Sequence, residues 1–70
     1  MTIDFKGPEF QAITAYIESI GSRFQVVFVE TDSDGDVIDQ PADGEGEFDT
    51  MTASLDFVLD YADTHGLERV

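Results

Sequence analysis

Between Arg23 and Arg69 the chain contains no lysine or arginine, while thirteen carboxylates fall in that interval: Glu30, Asp32, Asp34, Asp36, Asp39, Asp43, Glu45, Glu47, Asp49, Asp56, Asp60, Asp63 and Glu68. No other feature restricts the fold as much. An ionised carboxylate without a partner is too costly to bury, so the chain has to enclose a core while holding this whole block at its surface. Only Lys6, Arg23 and Arg69 oppose the acids, and the formal net charge is −13. An ordinary acidic domain intersperses both signs to offset repulsion; this one does not. Repulsion of this kind works against the compact state, keeps it soluble and steers it toward cationic partners. It counts against nucleic acid or an anionic membrane as a direct partner and favours a basic protein.

The apolar residues show that a core is nevertheless available. Hydrophobic residues make up 41% of the chain and six of them are phenylalanine, which is not the profile of a disordered acidic tail. Seventy residues are expected to form one acidic domain, 1–70, with a modest core. There is no cysteine, hence no disulfide staple, thiolate zinc site or cysteine nucleophile. No run approaches the roughly 20 apolar residues of a membrane span, and Met1–Phe5 does not resemble a signal peptide. The expected compartment is the cytoplasm.

Hydrophobic spacing predicts an α+β fold. Phe10, Ile13, Ile17 and Ile20 recur at three- and four-residue steps, which predicts a helix over 8–20, with Pro8 at its first position and Gly21 as its C-cap. Phe24–Val29 predicts a central strand whose nearly continuous apolar character implies cover on both faces, or one face lost in a dimer. Thr31–Asp36 predicts a turn, Val37–Ile38 a returning strand, and 44–50 a third strand with Phe48 inward. A final helix begins at Thr50 or Thr52, buries Met51, Leu55, Val58, Leu59 and Ala62, and stops at Gly66. The expected architecture is two helices packed on a small antiparallel sheet of two or three strands, with or without a leading strand over 1–5.

That architecture gives the carboxylates a spacing. Glu30, Asp32, Asp34 and Asp36 alternate, as do Glu45, Glu47 and Asp49, and residues two apart in extended chain project the same way at roughly 6.5–7 Å. Asp56, Asp60 and Asp63 follow a helical i, i+4, i+7 pattern, with steps of about 4.5–6 Å along the axis. Repeated like charges disfavour a helix, so a compensating use is expected. Carboxylates at these intervals approximate the phosphate series of nucleic acid, and a protein built to bind DNA presents lysine and arginine to match. Asp56, Asp60 and Asp63 form the leading candidate group because a helix holds them rigidly. Glu30, Asp32, Asp34, Asp36, Glu45, Glu47 and Asp49 form the second.

In length, charge, lack of cysteine and a terminal acidic helix, the chain resembles the small acidic phage-encoded DNA mimics of the anti-CRISPR type. The resemblance implies a non-catalytic inhibitor that occupies the DNA-binding or PAM-reading site of a CRISPR effector subunit. The alternative is a small structural or regulatory module whose acidity is adaptation to high salt, in keeping with few lysines and abundant Asp and Thr.

Other chemistries find less support. Glu30–Gly35 imitates the start of an EF-hand loop, but Pro41 stands where the bidentate glutamate belongs and the preceding segment is strand-like. The single histidine, His65, suits a helix C-terminus on dipole grounds, and Tyr16 and Tyr61 suit packing. No acid–base couple is distinguished among so many carboxylates. The sequence therefore implies no enzyme, no metal and no cofactor.

Overall fold

The apolar run from Phe24 to Val29 organises the molecule. In the computed structural model, which describes residues 1–70, this run is the middle of β3 (Arg23–Thr31), paired along its whole length with β2 (Ala12–Ile20). β2 pairs in turn with β1 (Thr2–Lys6). On its other side β3 carries two short strands end to end. β4 (Val37–Asp39) lies beside Glu30 and Thr31, with a register irregularity there, and β5 (Gly46–Phe48) lies beside Phe24–Val26. β6 (Glu68–Arg69) pairs with β1 at the far edge. The result is a six-stranded antiparallel sheet in the order β4-β3-β2-β1-β6, with β5 sharing the β4 edge. Short edge strands leave little unpaired backbone to recruit another chain.

A single helix, α1 (Met51–Thr64), packs on one face of the sheet. Thr50 caps it, its hydroxyl oxygen accepting from the Ala53 amide at 3.1 Å, and Gly66 at φ 68° follows its end. Ser54, Val58 and Ala62 are buried, with Met51, Leu55, Phe57 and Tyr61 half-buried beside them. Beneath lie Ile3, Phe5, Ala15, Ile17, Val26 and Phe28, alternate residues of three strands that share one face. Each large side chain fully removed from water there contributes about 1.5–3 kcal/mol. Ser54 is tolerated at 0% exposure because its hydroxyl donates to the Thr50 carbonyl at 3.1 Å. No helix is long and apolar enough to cross a membrane.

This architecture corrects the expected two-helix fold. Residues 8–20 form a loop and β2, not a helix. Ile13, Ala15 and Ile17 satisfy two-residue alternation as well as Ile13, Ile17 and Ile20 satisfy helical steps, so periodicity alone is degenerate here. Ile13, Thr14, Tyr16, Ile17 and Ile20 are β-branched or aromatic, which suits a pleated surface. Pairing with β3 then decides, because nine register partners satisfy both backbones. Gly21, expected as a helix cap, begins the two-residue turn between Ile20 and Arg23 with φ 61°, the type II′ geometry that favours glycine. Phe10, expected on a buried helix face, is 81% exposed and sits at φ 66°.

The other elements differ in smaller ways. The strand expected over 44–50 contracts to Gly46–Phe48, because Ala42–Gly44 forms a 3₁₀ turn folded over Phe28. A Cβ at Gly44 would stand 3.0 Å from the Phe28 Cβ, so any other residue there would require Phe28 to shift. Leu59, expected in the buried stripe of the last helix, is 53% exposed. Ser54, Phe57 and Tyr61 help to fill the core-facing side instead.

Candidate functional site

The helix presents the most regular group of acids. Because Val58 and Ala62 face the sheet, residues 56, 60 and 63 project into solvent, and all three aspartates are exposed. α1 carries no lysine or arginine. The exposed Leu59 borders this row, with Asp56 and Asp63 one turn away on one side and Leu55 and Ala62 on the other.

The second group is dispersed by the fold. Glu30 lies on the helix-covered face, opposite Asp39 across the β3–β4 pair. Asp32 serves the turn itself, its Oδ1 accepting from the amides of Asp34 at 2.9 Å and Asp36 at 3.0 Å. Asp34 and Asp36 are exposed on that turn. The predicted projection of Glu45, Glu47 and Asp49 in one direction does not form, since only Glu47 lies within β5. Glu47 stands opposite Gln25, on the face away from α1. Glu45 accepts from Gln40 Nε2 at 2.8 Å, and Asp49 is held by Arg23 at 2.7 Å.

The fold also assembles a site that spacing did not reveal. A cavity of about 310 Å³ opens between the β1–β2 loop, the 3₁₀ turn and the C-terminal end of α1. Pro8, Gln11, Ile13 and Leu67 form one side; Phe28, Tyr61 and His65 supply rings, and Glu30, Asp39 and Asp43 supply carboxylates. The Tyr61 ring lies 4.2 Å from Phe28 and stacks on His65 at 4.0 Å, centroid to centroid. Asp43 stands between their polar ends, with Oδ1 3.5 Å from the Tyr61 hydroxyl and Oδ2 3.5 Å from His65 Nε2. Burial, and after it the charge and hydrogen bonding of Asp43 and the charge of Asp39, push the Tyr61 phenol above its ordinary pKa.

His65 is thus the C-cap residue, as helix geometry requires, and also a wall of this cavity. Tyr61 and His65 are one turn apart on α1, the spacing that lets two rings stack. That was the one legible hint; nothing local placed Asp39, Asp43 and Glu30 beside them. Carboxylates grouped around ring faces can hold an ammonium or guanidinium group through charge and cation–π attraction. No three His, Asp or Glu side chains are arranged to hold a metal ion.

No protein-family model, no curated protein and no solved structure matches this chain.

Proposed function

We propose that this protein is a nucleic-acid-mimicking inhibitor that occupies the basic DNA-binding site of a partner protein in the cytoplasm. A CRISPR effector subunit with a PAM or target-DNA channel is the first partner to test. The observation that carries the reading is the lack of neutralisation. Of sixteen carboxylates, only Asp49, with Arg23, and Asp43, with His65, stand within ion-pair distance of a basic side chain. The remaining charge is available to an incoming partner. Asp56, Asp60 and Asp63 supply a rigid anionic row, Leu59 an apolar contact, and the cavity a seat for one lysine or arginine of the partner.

The decisive experiment measures competition. Purified protein is titrated into complexes of candidate effectors with labelled DNA, and the triple variant Asp56→Asn, Asp60→Asn, Asp63→Asn is compared. Wild type should displace DNA with an affinity that falls steeply as salt rises, since ionic contacts to a charged track are released by counterions. The variant should lose roughly tenfold or more, about 1.4 kcal/mol. Equal inhibition by both proteins would remove the helix from the site.

A second reading, acidity as adaptation to high salt, is favoured by the spread of carboxylates to Asp34 and Asp36 on the turn and to Glu18, Glu47 and Glu68. It predicts no tight complex with any basic nucleic-acid-binding protein at physiological salt.

A further inference from the structure

No helix packs on the face of the sheet opposite α1. Strand register assigns its residues: Thr2, Asp4 and Lys6 from β1; Ala12, Thr14, Tyr16, Glu18 and Ile20 from β2; Arg23, Gln25, Val27, Val29 and Thr31 from β3. Val37 of β4, Glu47 of β5 and Glu68 of β6 extend it at the edges. Its centre is apolar or hydroxylic. Tyr16 pairs with Val27, and Thr14 with Val29. Tyr16 is 38% exposed and Ile20 48%. Tyr16, Glu18, Gln25 and Val27 line a shallow hollow of about 210 Å³. Val29 is absent from the core cluster, as expected for a residue on the other side of the sheet, and is already buried by its neighbours there, so Tyr16, Ile20 and Val27 supply the open apolar surface.

Charge is distributed just as unevenly. This face holds two of the three lysines and arginines, Lys6 and Arg23, and four of the sixteen carboxylates, Asp4, Glu18, Glu47 and Glu68. It therefore carries a formal −2 of the chain's −13. Asp4 is engaged by the Thr14 hydroxyl at 2.9 Å, and Arg23 by Asp49 at 2.7 Å. A cationic partner is drawn to the other side of the molecule. The occupant that matches an apolar, nearly balanced face on so acidic a protein is an identical face.

We propose that this protein pairs with a second copy of itself, sheet against sheet, through the uncovered face of β1, β2 and β3. Self-complementary faces meet about a two-fold axis, and sheets pack about 10 Å apart with interdigitating side chains. In this arrangement Tyr16 of one copy enters the hollow beside Val27 of the other. Lys6, Glu18 and Arg23 lie toward the rim, and the acidic helix faces point away from each other on opposite sides. β2 and β3 are nine residues long, β1 five, and the β4–β5 edge three plus three, so at about 3.3 Å per residue and about 4.8 Å between strands the face covers on the order of 450 Å² per copy. The total, about 900 Å², is the size of a weak, reversible interface rather than a permanent one. The pairing goes beyond the inhibitor reading and does not rest on it, although a dimer would display two acidic surfaces back to back.

The test is sedimentation velocity on the full chain from about 5 to 500 µM, the range in which small interfaces dissociate, at about 0.01 M and 0.5 M salt. The expected result is a concentration-dependent species of twice the 7.7 kDa chain mass, favoured at high salt because residual repulsion is screened. Val27→Asp, which places an unpaired charge in the buried centre of each copy, should raise the dissociation constant roughly a hundredfold or more. Tyr16→Ala, at a partly exposed position, should also weaken the dimer and decides the matter if Val27→Asp fails to fold by circular dichroism. Asp56→Asn, on the opposite side, should leave the dimer intact. Concentration-dependent amide shifts should map to Thr14, Tyr16, Val27 and Val29. A monomer at the highest concentration and salt, a dimer that survives both substitutions, or shifts confined to α1 would overturn the proposal.

Discussion

Replacing Asp60 with lysine should stabilise the protein while weakening its use as an anionic surface. Asp60 lies four residues after Asp56 and three before Asp63 on an α1 that carries no lysine or arginine. The axial rises between them are about 6 and 4.5 Å. Two exposed unit charges about 6 Å apart in water repel by about 0.7 kcal/mol, falling to roughly 0.4 when the Debye length is about 10 Å. That agrees with the roughly 0.2–0.5 kcal/mol typical of exposed like-charge pairs on a helix. Neutralising Asp60 relieves two such pairs, about 0.4–1 kcal/mol, and reversing its charge roughly doubles the gain.

Asp60→Gln provides the control, because glutamine and lysine have similar helix propensity, both a few tenths of a kcal/mol better than aspartate. Thermal and urea unfolding at low salt should rank lysine above glutamine above wild type. Each kcal/mol is worth about 4–8 °C in a domain of this size. The lysine–glutamine gap should shrink strongly at about 1 M salt, where the Debye length is near 3 Å. A lysine variant no more stable than the glutamine variant at low salt would refute the electrostatic reasoning. A gap that persists unchanged at high salt would do the same.

Other positions give sharper structural tests. Phe28, fully buried and 4.2 Å from the Tyr61 ring, should cost about 3–5 kcal/mol as Phe28→Ala, enough to bring the midpoint of chemical denaturation close to zero denaturant. Phe10→Gly should stabilise by about 1 kcal/mol, measured by urea unfolding, because an 81% exposed ring gives up little burial and glycine accepts the positive φ that phenylalanine resists. The raised pKa of Tyr61 favours the neutral phenol in the folded state. Its contribution is complete below the ordinary tyrosine value of about 10 and is lost as pH rises through the higher folded value. Stability measured upward from about pH 10 should therefore fall less steeply in Tyr61→Phe, and absorbance titration should show a late-ionising phenol that this substitution removes.

Much of the chain was legible residue by residue. Phe24–Val29 read as a strand because its β-branched and aromatic residues, broken only by Gln25, suit a pleated surface. Thr50, Val58, Ala62 and Gly66 marked the last helix through cap, stripe and stop, and the Asp-rich segment before Val37 marked a turn. The thirteen carboxylates between Arg23 and Arg69 announced an anionic surface before any fold was known, since charge that cannot be paired must be solvated.

Tertiary structure alone decided the rest. Residues 12–20 satisfy helix and strand periodicity together, and only the offer of a long partner in β3 resolves them, because hydrogen bonding between strands is not encoded within either one. The cavity has the same origin. Glu30, Asp39 and Asp43 come from three different elements, Tyr61 and His65 from a fourth, and a 3₁₀ turn folded over Phe28 brings Asp43 to the stacked rings. The uncovered sheet face depends on where α1 lands, because burying one face of a sheet is what exposes the other. Sequence determined the sign and amount of charge; the packing of one helix determined where that charge is dense and where it is nearly absent.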